Sequence, residues 1–379
     1  MHIGIEGQRI FRKKKHGMDM VALELVRNLQ AIDHHNEYTV FVKEDEDHCL
    51  RSEGNFKITE LKNAPYPVWE QYVLPAAAKA AGCDILHCTS NTAPLFTSIP
   101  MVVTLHDIIY MEKLSLLTKG FTSYQKFGNL YRRMVVPGIV RKCRRLITVS
   151  EFEKKRIVDF FGIAPAKVNA IYNGVSSHFM PVTDPETLLS VKQKYNLPDR
   201  FFFFFGNTDP KKNTIGVLKA LSLFLRNSEE KIPLVMLDFD QAELAKLIQE
   251  VGDPSIADYI KLTGYVPNTA LPGIYSLSTI FLYPSLRESF GIPMLEAMAC
   301  GTPVITSNTS SMPEIAGNAA LFTDPYKPEQ LAENISKLLA NPELRLNLVD
   351  SGMKKAKKFT WGNMARGVLK IYEETASNK

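Results

Sequence analysis

"STIFLYPSLRESFGIPMLEAMACGTPVITS" (Ser278 to Ser307) decides the fold, because two short apolar runs flank a polar loop and a helix-like segment. Each apolar run has the length of a buried strand. Pro293 suits the first turn of a helix, and Gly301 suits its end. A unit of strand, loop, helix and strand predicts a parallel sheet that is covered by helices.

The same alternation of strands and helices runs along the whole chain. Further short apolar strands are predicted at "HIGIEG", "EYTVFV", "CDILHC", "MVVTL", "RLITVS", "RFFFFFG", "IPLVMLDF" and "YIKLTG". An irregular stretch with prolines separates the fifth of these from the sixth and predicts a linker. We therefore predict an N-terminal domain at 1–178, a linker at 179–198, a second α/β domain at 199–358 and a C-terminal helix at 359–379. A return of that last helix to the N-terminal domain is one option.

Composition excludes several classes of protein. The 379 residues are 45% hydrophobic and 22% charged, with a formal net charge of +5, which is ordinary for soluble domains. No apolar run approaches the roughly 18 residues that span a bilayer, and no signal-peptide pattern opens the sequence, so a cytoplasmic protein is expected. The five cysteines are odd in number and lack CxxC spacing, which argues against disulfides and a zinc site.

Two glutamates are the first candidate site residues. Glu288 lies in the glycine-flanked loop, and Glu296 lies about one turn into the following helix. The start of a helix suits a phosphate, and a carboxylate accepts hydrogen bonds from vicinal hydroxyls. The alternatives are two ordinary surface acids, or the paired carboxylates of a glycosidase, although eight residues of helix would separate them by about 12 Å.

Other polar residues directly follow predicted strands. In "FFFFFGNTDPKKNTIGVLKAL", Lys211 and Lys212 precede a helix that Asn213 or Thr214 would cap. Two lysines at this position can neutralise a diphosphate and stabilise its departure. In "MVVTLHDIIY", His106 follows a strand, where an imidazole can bond a sugar hydroxyl or transfer a proton. The alternative interpretations are common ones: the two lysines are ordinary exposed loop residues, and the His-Asp pair forms a turn at the end of the strand.

Two motifs argue against other kinds of site. The loop "GQRIFRKKKHGMDM" after the first strand lacks GxGxxG, so a dinucleotide site is poorly supported. The stretch "LDFD" (Asp238, Asp240) is similar to a metal-binding DxD, but no acid or histidine cluster accompanies it. We interpret it as the end of a strand and predict no metal site.

Taken together, these stretches resemble the retaining glycosyltransferases of the two-domain GT-B fold, in family 4 (group 1), and within it a subgroup rich in mannosyltransferases. The resemblance covers nearly the whole chain and rests on "TLHD", "ITVSEFEKKRI", "IYNGV", "FFGNTDPKKNTIGVLKAL", "LTGYV" and "YPSLRESFGIPMLEAMACGTPVITSNTSSMPEIAG". It implies an α/β protein with two Rossmann-like, doubly wound parallel-sheet domains that face a central cleft. The N-terminal domain would serve the acceptor and the C-terminal domain the donor.

The resemblance also assigns roles to single residues. It implies that Glu288 lies beside the donor sugar, that Glu296 binds the donor ribose, and that His106 lies close to the transferred sugar. Glu288, His106 and Lys212 are the predicted catalytic residues. The predicted donor-binding residues are Gly17, Asn207, Lys211, Lys212, Tyr265, Val266, Glu288, Phe290, Gly291, Ile292 and Glu296.

Within that set, the backbone is expected to make many of the contacts. Gly17 would belong to a loop that closes over the phosphates, Tyr265 and Val266 would hold the base, and Phe290 and Gly291 would offer backbone groups to the sugar and diphosphate. The chain also departs from the family pattern. Ser289 replaces a usual glycine, Ser176 a frequent aspartate, and Asn207 a frequent phosphate-binding arginine.

The predicted function is a retaining hexosyltransferase that uses a nucleotide sugar in surface polysaccharide or glycoconjugate synthesis. GDP-mannose is favoured over UDP-glucose or UDP-N-acetylglucosamine as the donor, and the acceptor is a saccharide or is lipid-linked. Similar enzymes need no metal for catalysis, so neither a metal nor a cofactor is expected, and no nucleic acid partner. The alternatives are a nucleotide-sugar epimerase on the same fold, a glycosidase and a non-catalytic nucleotide-binding protein.

Basic residues concentrate in two clusters, "RKKKH" (Arg12–His16) and "YRRMVVPGIVRKCRR" (Tyr131–Arg145). Such clusters can bind phosphorylated ligands, nucleic acid or an anionic membrane, and a solvated helix face is an equal alternative. We hypothesise that these clusters make peripheral contact with the anionic inner membrane face, near a lipid-linked acceptor.

Overall fold

The computed structural model describes residues 1–15, 17–112 and 123–377. These residues form two compact units. Unit 1 comprises Met1–Gly174 together with the C-terminal segment that begins at Trp361, and unit 2 comprises Val175–Thr360.

Unit 1 is built on a parallel sheet, with the strand order β3-β2-β1-β4-β5-β6-β7 among the described residues. The strands are β1 (His2–Glu6), β2 (Glu37–Lys43), β3 (Phe56–Leu61), β4 (Ile85–Cys88), β5 (Met101–Thr104), β6 (Arg145–Thr148) and β7 (Val168–Ala170). The helices of its N-terminal part are α1 (Gly17–Ile32), α2 (Tyr66–Val68), α3 (Leu74–Ala80), α4 (Ile109–Glu112), α5 (Ser123–Lys142) and α6 (Glu151–Phe161). A turn of π-helix, Trp69–Val73, joins α2 to α3. Strands β4 and β5 are buried along their whole length, which is why most of their residues are apolar.

Unit 2 is also built on a parallel sheet, with the order β10-β9-β8-β11-β12-β13. The strands are β8 (Phe202–Phe204), β9 (Leu234–Met236), β10 (Ile260–Leu262), β11 (Ile280–Tyr283), β12 (Val304–Ser307) and β13 (Leu321–Thr323). The helices are α7 (Pro185–Lys194), α8 (Thr214–Asn227), α9 (Gln241–Val251), α10 (Leu271–Leu277), α11 (Ile292–Ala299), α12 (Met312–Ala316), α13 (Pro328–Ala340) and α14 (Pro342–Ala356).

The order of strands in unit 2 places a topological switch point between β8 and β11. The chain runs outward from β8 through β9 to β10, and from β11 through β12 to β13 in the opposite direction. Phe203 of β8 pairs with Phe281 of β11. In open parallel sheets the loops beyond such a point diverge and leave a crevice in which ligands bind.

The last helix, α15 (Trp361–Ser377), belongs to unit 1, where it packs against α1, β4 and β6. A buried hydrogen bond of 2.6 Å joins the hydroxyl of Tyr372 to Nδ1 of His87, and Nε2 of His87 lies 2.8 Å from Oγ1 of Thr104. Burial lowers the pKa of His87 to about 3, so its imidazole is neutral. This histidine therefore joins α15 to the sheet and is not a titrating group near neutral pH.

The predicted pair of doubly wound parallel-sheet domains is confirmed. Sequence reasoning did not find β3, β7 or β13. Strands β7 and β13 bury one residue each, and β3 is partly exposed at the sheet edge, so their apolar signal is weak.

The segment predicted as a linker at 179–198 contains helix α7. The side chain of Asp184 accepts a hydrogen bond from the backbone N–H of Thr187 and so caps the helix. Helix α7 packs on α10, where Gly273 leaves room for Val191. This part of the chain belongs to unit 2.

Candidate active site

The loops that follow β8 and β11 are joined at the switch point of unit 2. The backbone N–H of Leu286, in the β11 loop, donates to the carbonyl of Lys211, in the β8 loop, at 2.7 Å. Lys211 lies in a short 3-10 turn, Pro210–Lys212, and the carboxylate of Asp209 accepts from its backbone N–H at 3.1 Å. The loops are therefore held side by side at the carboxyl end of the sheet.

Lys212 and Glu288 form an ion pair across these two loops. Nζ of Lys212 lies 2.6 Å from Oε1 of Glu288, and the exposed fractions of the two side chains are 20% and 12%. Nζ also lies 3.5 Å from the hydroxyl of Tyr283, whose ring centroid is 5.3 Å away. Partial burial strengthens such a pair relative to an exposed one. The fold thus brings two of the three predicted catalytic residues into contact.

Asn213 has a role that sequence reasoning did not find. It precedes α8 in a left-handed conformation (φ 60°), and its side chain makes no cap hydrogen bond, contrary to the expectation that it would cap the helix. Instead, Nδ2 donates to the carbonyls of Pro284, at 3.0 Å, and Pro325, at 2.7 Å. Asparagine tolerates the left-handed region better than other non-glycine residues. Its amide ties the lysine loop to the glutamate loop.

Two serines hold the backbone of Glu288. Its N–H donates to Oγ of Ser310 at 3.1 Å, and its carbonyl accepts from Oγ of Ser311 at 3.0 Å. The carbonyl also accepts from the guanidinium of Arg287 at 3.1 Å. Ser310 and Ser311 belong to the quoted family stretch, but their residue type alone did not single them out.

Gly291 sets the direction in which the chain enters α11. Its φ is 95°, and a Cβ on it would approach Cε of Met312 to 2.7 Å. A side chain at this position would meet both backbone strain and a clash. Phe290, just before it, is buried and packs edge-on against Phe359 with ring centroids 5.7 Å apart. Ile292 and Pro293 then begin the helix, as predicted for Pro293.

Glu296 lies inside α11 and is buried. Burial raises its pKa to about 7, against a smaller lowering by the hydroxyl of Tyr275, which donates to Oε2 at 3.2 Å. A carboxyl group with this pKa changes charge near neutral pH. Tyr275 is a further partner that the sequence did not indicate, because it lies on α10, 21 positions away.

The other predicted donor residues of unit 2 lie in neighbouring loops. Oδ1 of Asn207 accepts from the backbone N–H of Asp209 at 2.8 Å, and Nζ of Lys211 lies 3.3 Å from Oδ2 of Asp209. Tyr265 is exposed and Val266 is buried, in the loop that follows β10. Asn207 therefore supports the turn that presents Lys211, and Lys211 has an acidic neighbour in the same turn.

His106 and Gly17 lie in unit 1. His106 is buried just after β5, and its Nε2 lies 2.9 Å from the carbonyl of Thr89. Because a carbonyl only accepts, Nε2 carries the proton and Nδ1 is left as an acceptor. Burial lowers the pKa of His106, so the ring is neutral. Gly17 begins α1, and open space surrounds the position that a Cβ would occupy.

The remaining motifs have structural roles. Asp240 caps α9 by accepting from the N–H of Glu243 at 2.9 Å, and Asp238 lies in the turn after β9 with a φ of 40°. In the described part of the chain, no group of three or more His, Cys, Asp or Glu side chains could hold a metal ion. The five cysteines are free thiols, and Cys49 is the one that is not fully buried.

Comparisons with known proteins give the class and the family. Two family models match the chain, "Glycosyl transferases group 1" over residues 187–355 and "Glycosyltransferase Family 4" over residues 16–179. O-antigen chain mannosyltransferase B of Escherichia coli is 32% identical over 229 residues, which cover 60% of this chain and 60% of that protein. Serotype-specific mannosyltransferase WbdA of Escherichia coli is 28% identical over 223 residues, which cover 58% of this chain and 27% of that protein. The matched segment thus spans less than two thirds of each of these relatives.

Among solved structures, Anabaena Alr3699/HepE in complex with UDP and glucose has a TM-score of 0.75 at 18% identity, and the alignment covers 99% of this chain and 100% of that one. The two parallel-sheet units and this likeness define a protein of the GT-B fold, as predicted. The two family models, over residues 16–179 and 187–355, show that the chain belongs to the glycosyltransferases of family 4, group 1. Its curated relatives include mannosyltransferases.

Proposed function

We propose that this chain transfers a hexose from a nucleotide sugar to a saccharide or lipid-linked acceptor with retention of the anomeric configuration. GDP-mannose is the favoured donor, and a UDP-hexose is the other candidate. The product would belong to a surface polysaccharide or glycoconjugate. The transfer would need neither a metal nor a cofactor, and it would take place in the cytoplasm.

The observation that carries this proposal is the contact between Lys212 and Glu288 at the switch point, with the start of α11 close by in sequence. A diphosphate at the N-terminus of α11 would meet the positive end of the helix dipole. Lys212 would place an ammonium group against the same phosphates, and its three donors allow it to keep Glu288 as a partner. Together they would stabilise the negative charge that develops on the departing nucleoside diphosphate.

The two glutamates would then serve different parts of the donor. Glu288 is held at its backbone by Ser310 and Ser311, so its carboxylate can be directed toward the sugar. Glu296 lies in the helix, and its carboxylate would accept hydrogen bonds from the ribose hydroxyls. A bound ribose supplies two donors to a buried acid, which favours its ionised form.

His106 would act as a neutral hydrogen-bonding group. Since Nε2 is engaged with the carbonyl of Thr89, the free Nδ1 would accept a hydrogen bond from a hydroxyl of the transferred sugar. Its lowered pKa keeps it in this form throughout the neutral range. Gly17 would allow the β1–α1 loop to approach the phosphates closely.

The choice of GDP-mannose is supported by the relatives whose names describe mannosyltransferases. The UDP and glucose of the Anabaena structure keep a UDP-sugar as the second donor to test. For a lipid-linked acceptor, peripheral contact with an anionic membrane would bring enzyme and acceptor together. No helix in the described ranges is both long and apolar enough to cross a bilayer.

The test is a panel of GDP-mannose, UDP-glucose and UDP-N-acetylglucosamine, first in thermal-shift binding and then in an assay of nucleotide release with and without saccharide acceptors. We expect stabilisation by GDP-mannose and release of GDP that depends on acceptor. The product's anomeric proton, measured by NMR, would report retention. Stabilisation by a UDP-sugar alone would overturn the choice of donor. Formation of epimerised donor without acceptor, or cleavage of a glycan without a donor, would overturn the proposal that the chain is a transferase.

A further inference from the structure

Helix α5 and the segment after it are basic without any acidic residue. From Phe127 to Ser150 the sequence carries six arginines and lysines and no aspartate or glutamate. These basic residues are Arg132, Arg133, Arg141, Lys142, Arg144 and Arg145. An excess of one sign over such a length creates a positive surface.

The same helix has two faces of different character. Its inner face buries Val135, Val136, Ile139 and Val140 in the core of unit 1. Its outer face exposes three large apolar side chains, which are Phe127 at 58%, Leu130 at 41% and Met134 at 71%. With 3.6 residues per turn, positions 127, 130, 134, 138 and 141 fall within about 80° of arc. The outer face is therefore an apolar stripe that continues into Arg141.

A neighbouring loop extends this stripe. The side chain of Leu95 lies over Gly138, where a Cβ would approach Cδ2 of Leu95 to 2.8 Å. Phe96 is 78% exposed, and Nζ of Lys142 lies 4.5 Å from its ring centroid and 2.8 Å from the carbonyl of Leu95. Phe96 and Lys142 thus place an exposed aromatic ring and a cation together at the end of α5.

Helix α5 is held firmly on unit 1. The hydroxyl of Tyr131 donates to Oε1 of Glu70 at 2.6 Å, and Glu70 also accepts from the hydroxyl of Tyr66 at 2.8 Å. Glu70 is buried. This anchor and the buried valines fix the orientation of the outer face.

The other basic cluster differs, because acids lie beside three of its four arginines and lysines, whereas in the α5 cluster a guanidinium nitrogen of Arg145 lies 3.8 Å from Oε2 of Glu374. Nζ of Lys13 lies 2.8 Å from Oε2 of Glu46, Lys15 pairs with Asp47, and a guanidinium nitrogen of Arg12 lies 3.9 Å from Asp19. His16 lies outside the described residues. Of the two clusters that the sequence indicates, the one on α5 has the greater excess of positive charge and has exposed apolar side chains beside it.

We propose that the outer face of α5, formed by Phe127, Leu130, Met134 and Arg141 and extended by Phe96 and by Arg144 just after the helix, docks on an anionic lipid bilayer. An apolar stripe flanked by basic residues suits the surface of a bilayer, because the apolar side chains can meet the acyl chains while the basic residues meet the anionic headgroups. A nucleic acid would bind the arginines and lysines through its phosphates. Its phosphate backbone would not account for the exposed apolar side chains beside them. This inference deepens the proposed membrane contact by assigning it to one surface, and it depends on no catalytic step.

The experiment is co-sedimentation of the full chain with vesicles of phosphatidylcholine alone and of phosphatidylcholine mixed with phosphatidylglycerol. We expect binding to the mixed vesicles that weakens with salt. Arg141→Gln with Arg144→Gln should weaken this binding about 25-fold, at about fivefold for each charge. Lys13→Gln with Lys14→Gln removes the same charge from the other cluster and should change it less than about twofold.

The apolar part is tested by changing Phe127, Leu130 and Met134 together to serine, which should weaken binding about tenfold or more. The matched control changes Leu189, Tyr326 and Leu346 to serine, since these are also large exposed apolar residues. Equal binding to both kinds of vesicle, or equal losses in variants and controls, would overturn the proposal. A changed molecular mass of the serine variant in sedimentation, with vesicle binding intact, would show instead that a second copy covers this face. Thermal shift with GDP-mannose reports the donor site separately, so failure of the proposed function is told apart from failure of this surface.

Discussion

Replacing Glu296 by glutamine should remove a dependence of stability on pH. The structure buries this carboxyl group in α11 with Tyr275 as its hydrogen-bond donor, and its pKa moves from 4.5 to about 7 on folding. At about 1.4 kcal/mol per pKa unit, this change in pKa corresponds to about 3 kcal/mol in the free energy of unfolding. Glutamine has nearly the same shape and keeps an acceptor for the tyrosine hydroxyl.

The sign follows from the direction of the pKa change. Because the folded state binds the proton more tightly than the unfolded state, the contribution of Glu296 to stability is fully present below pH 4.5. It is lost as the pH rises to about 7, and it stays lost above that. The glutamine variant has no such loss. The free energy of unfolding of the native chain should therefore fall by about 3 kcal/mol relative to the variant between these two pH values.

The assay is urea unfolding followed by far-ultraviolet circular dichroism at a series of pH values from about 4 to 9. Glu333→Gln is the matched control, since Glu333 is an exposed glutamate of α13. The control should show the same pH profile as the native chain. Parallel profiles for the native chain and Glu296→Gln would refute the account of Glu296 as a buried acid whose ionisation opposes folding.

The same variant should bind donor nucleotide less well, because a charged acceptor bonds hydroxyls more strongly than an amide. The loss of about 1.5 kcal/mol of binding free energy corresponds to a rise in Kd of about tenfold above pH 7. Below about pH 6 the difference should shrink, since Glu296 of the free protein is then protonated. Titration calorimetry with GDP-mannose at two pH values would measure both effects, and an equal affinity at high pH would contradict the ribose assignment.

Three further predictions concern neighbouring residues. Lys212→Ala should lower kcat/KM for the donor about a hundredfold or more in steady-state kinetics, because it removes the cation that would face the departing diphosphate. Lys219 is an exposed lysine of α8, and Lys219→Ala should leave kcat/KM unchanged. Asn213→Ala should cost about 2 kcal/mol in urea unfolding, because it removes two hydrogen bonds to backbone carbonyls, and should raise KM for the donor; an unchanged KM would show that the tie between the loops does not position the site. His106→Ala should slow transfer about a hundredfold while thermal shift still detects GDP-mannose, and in the native enzyme the lowered pKa of His106 predicts no loss of rate from this group between about pH 7 and 8.

Much of the candidate site could be predicted from the sequence, because its residues follow strands that were themselves recognisable. Glu288 and Lys212 lie in loops directly after apolar runs, and Pro293 and Gly301 mark the ends of a helix. The partners of these residues could not be predicted in the same way. Lys212 and Glu288 are 76 positions apart, so their contact depends on which strands are neighbours in the sheet.

The sequence by itself determined the alternation of strands and helices, the two doubly wound domains and the family, since each depends on local pattern and on short motifs. Only the tertiary structure decided that β8 lies beside β11, that Asn213 binds Pro284 and Pro325 instead of capping its helix, and that Tyr275 meets Glu296. It also decided that acids lie beside most of the first basic cluster and that the second lies beside exposed apolar side chains. Hydrogen bonds and burial between distant segments arise when the sheet assembles, and no local pattern contains the order in which its strands lie.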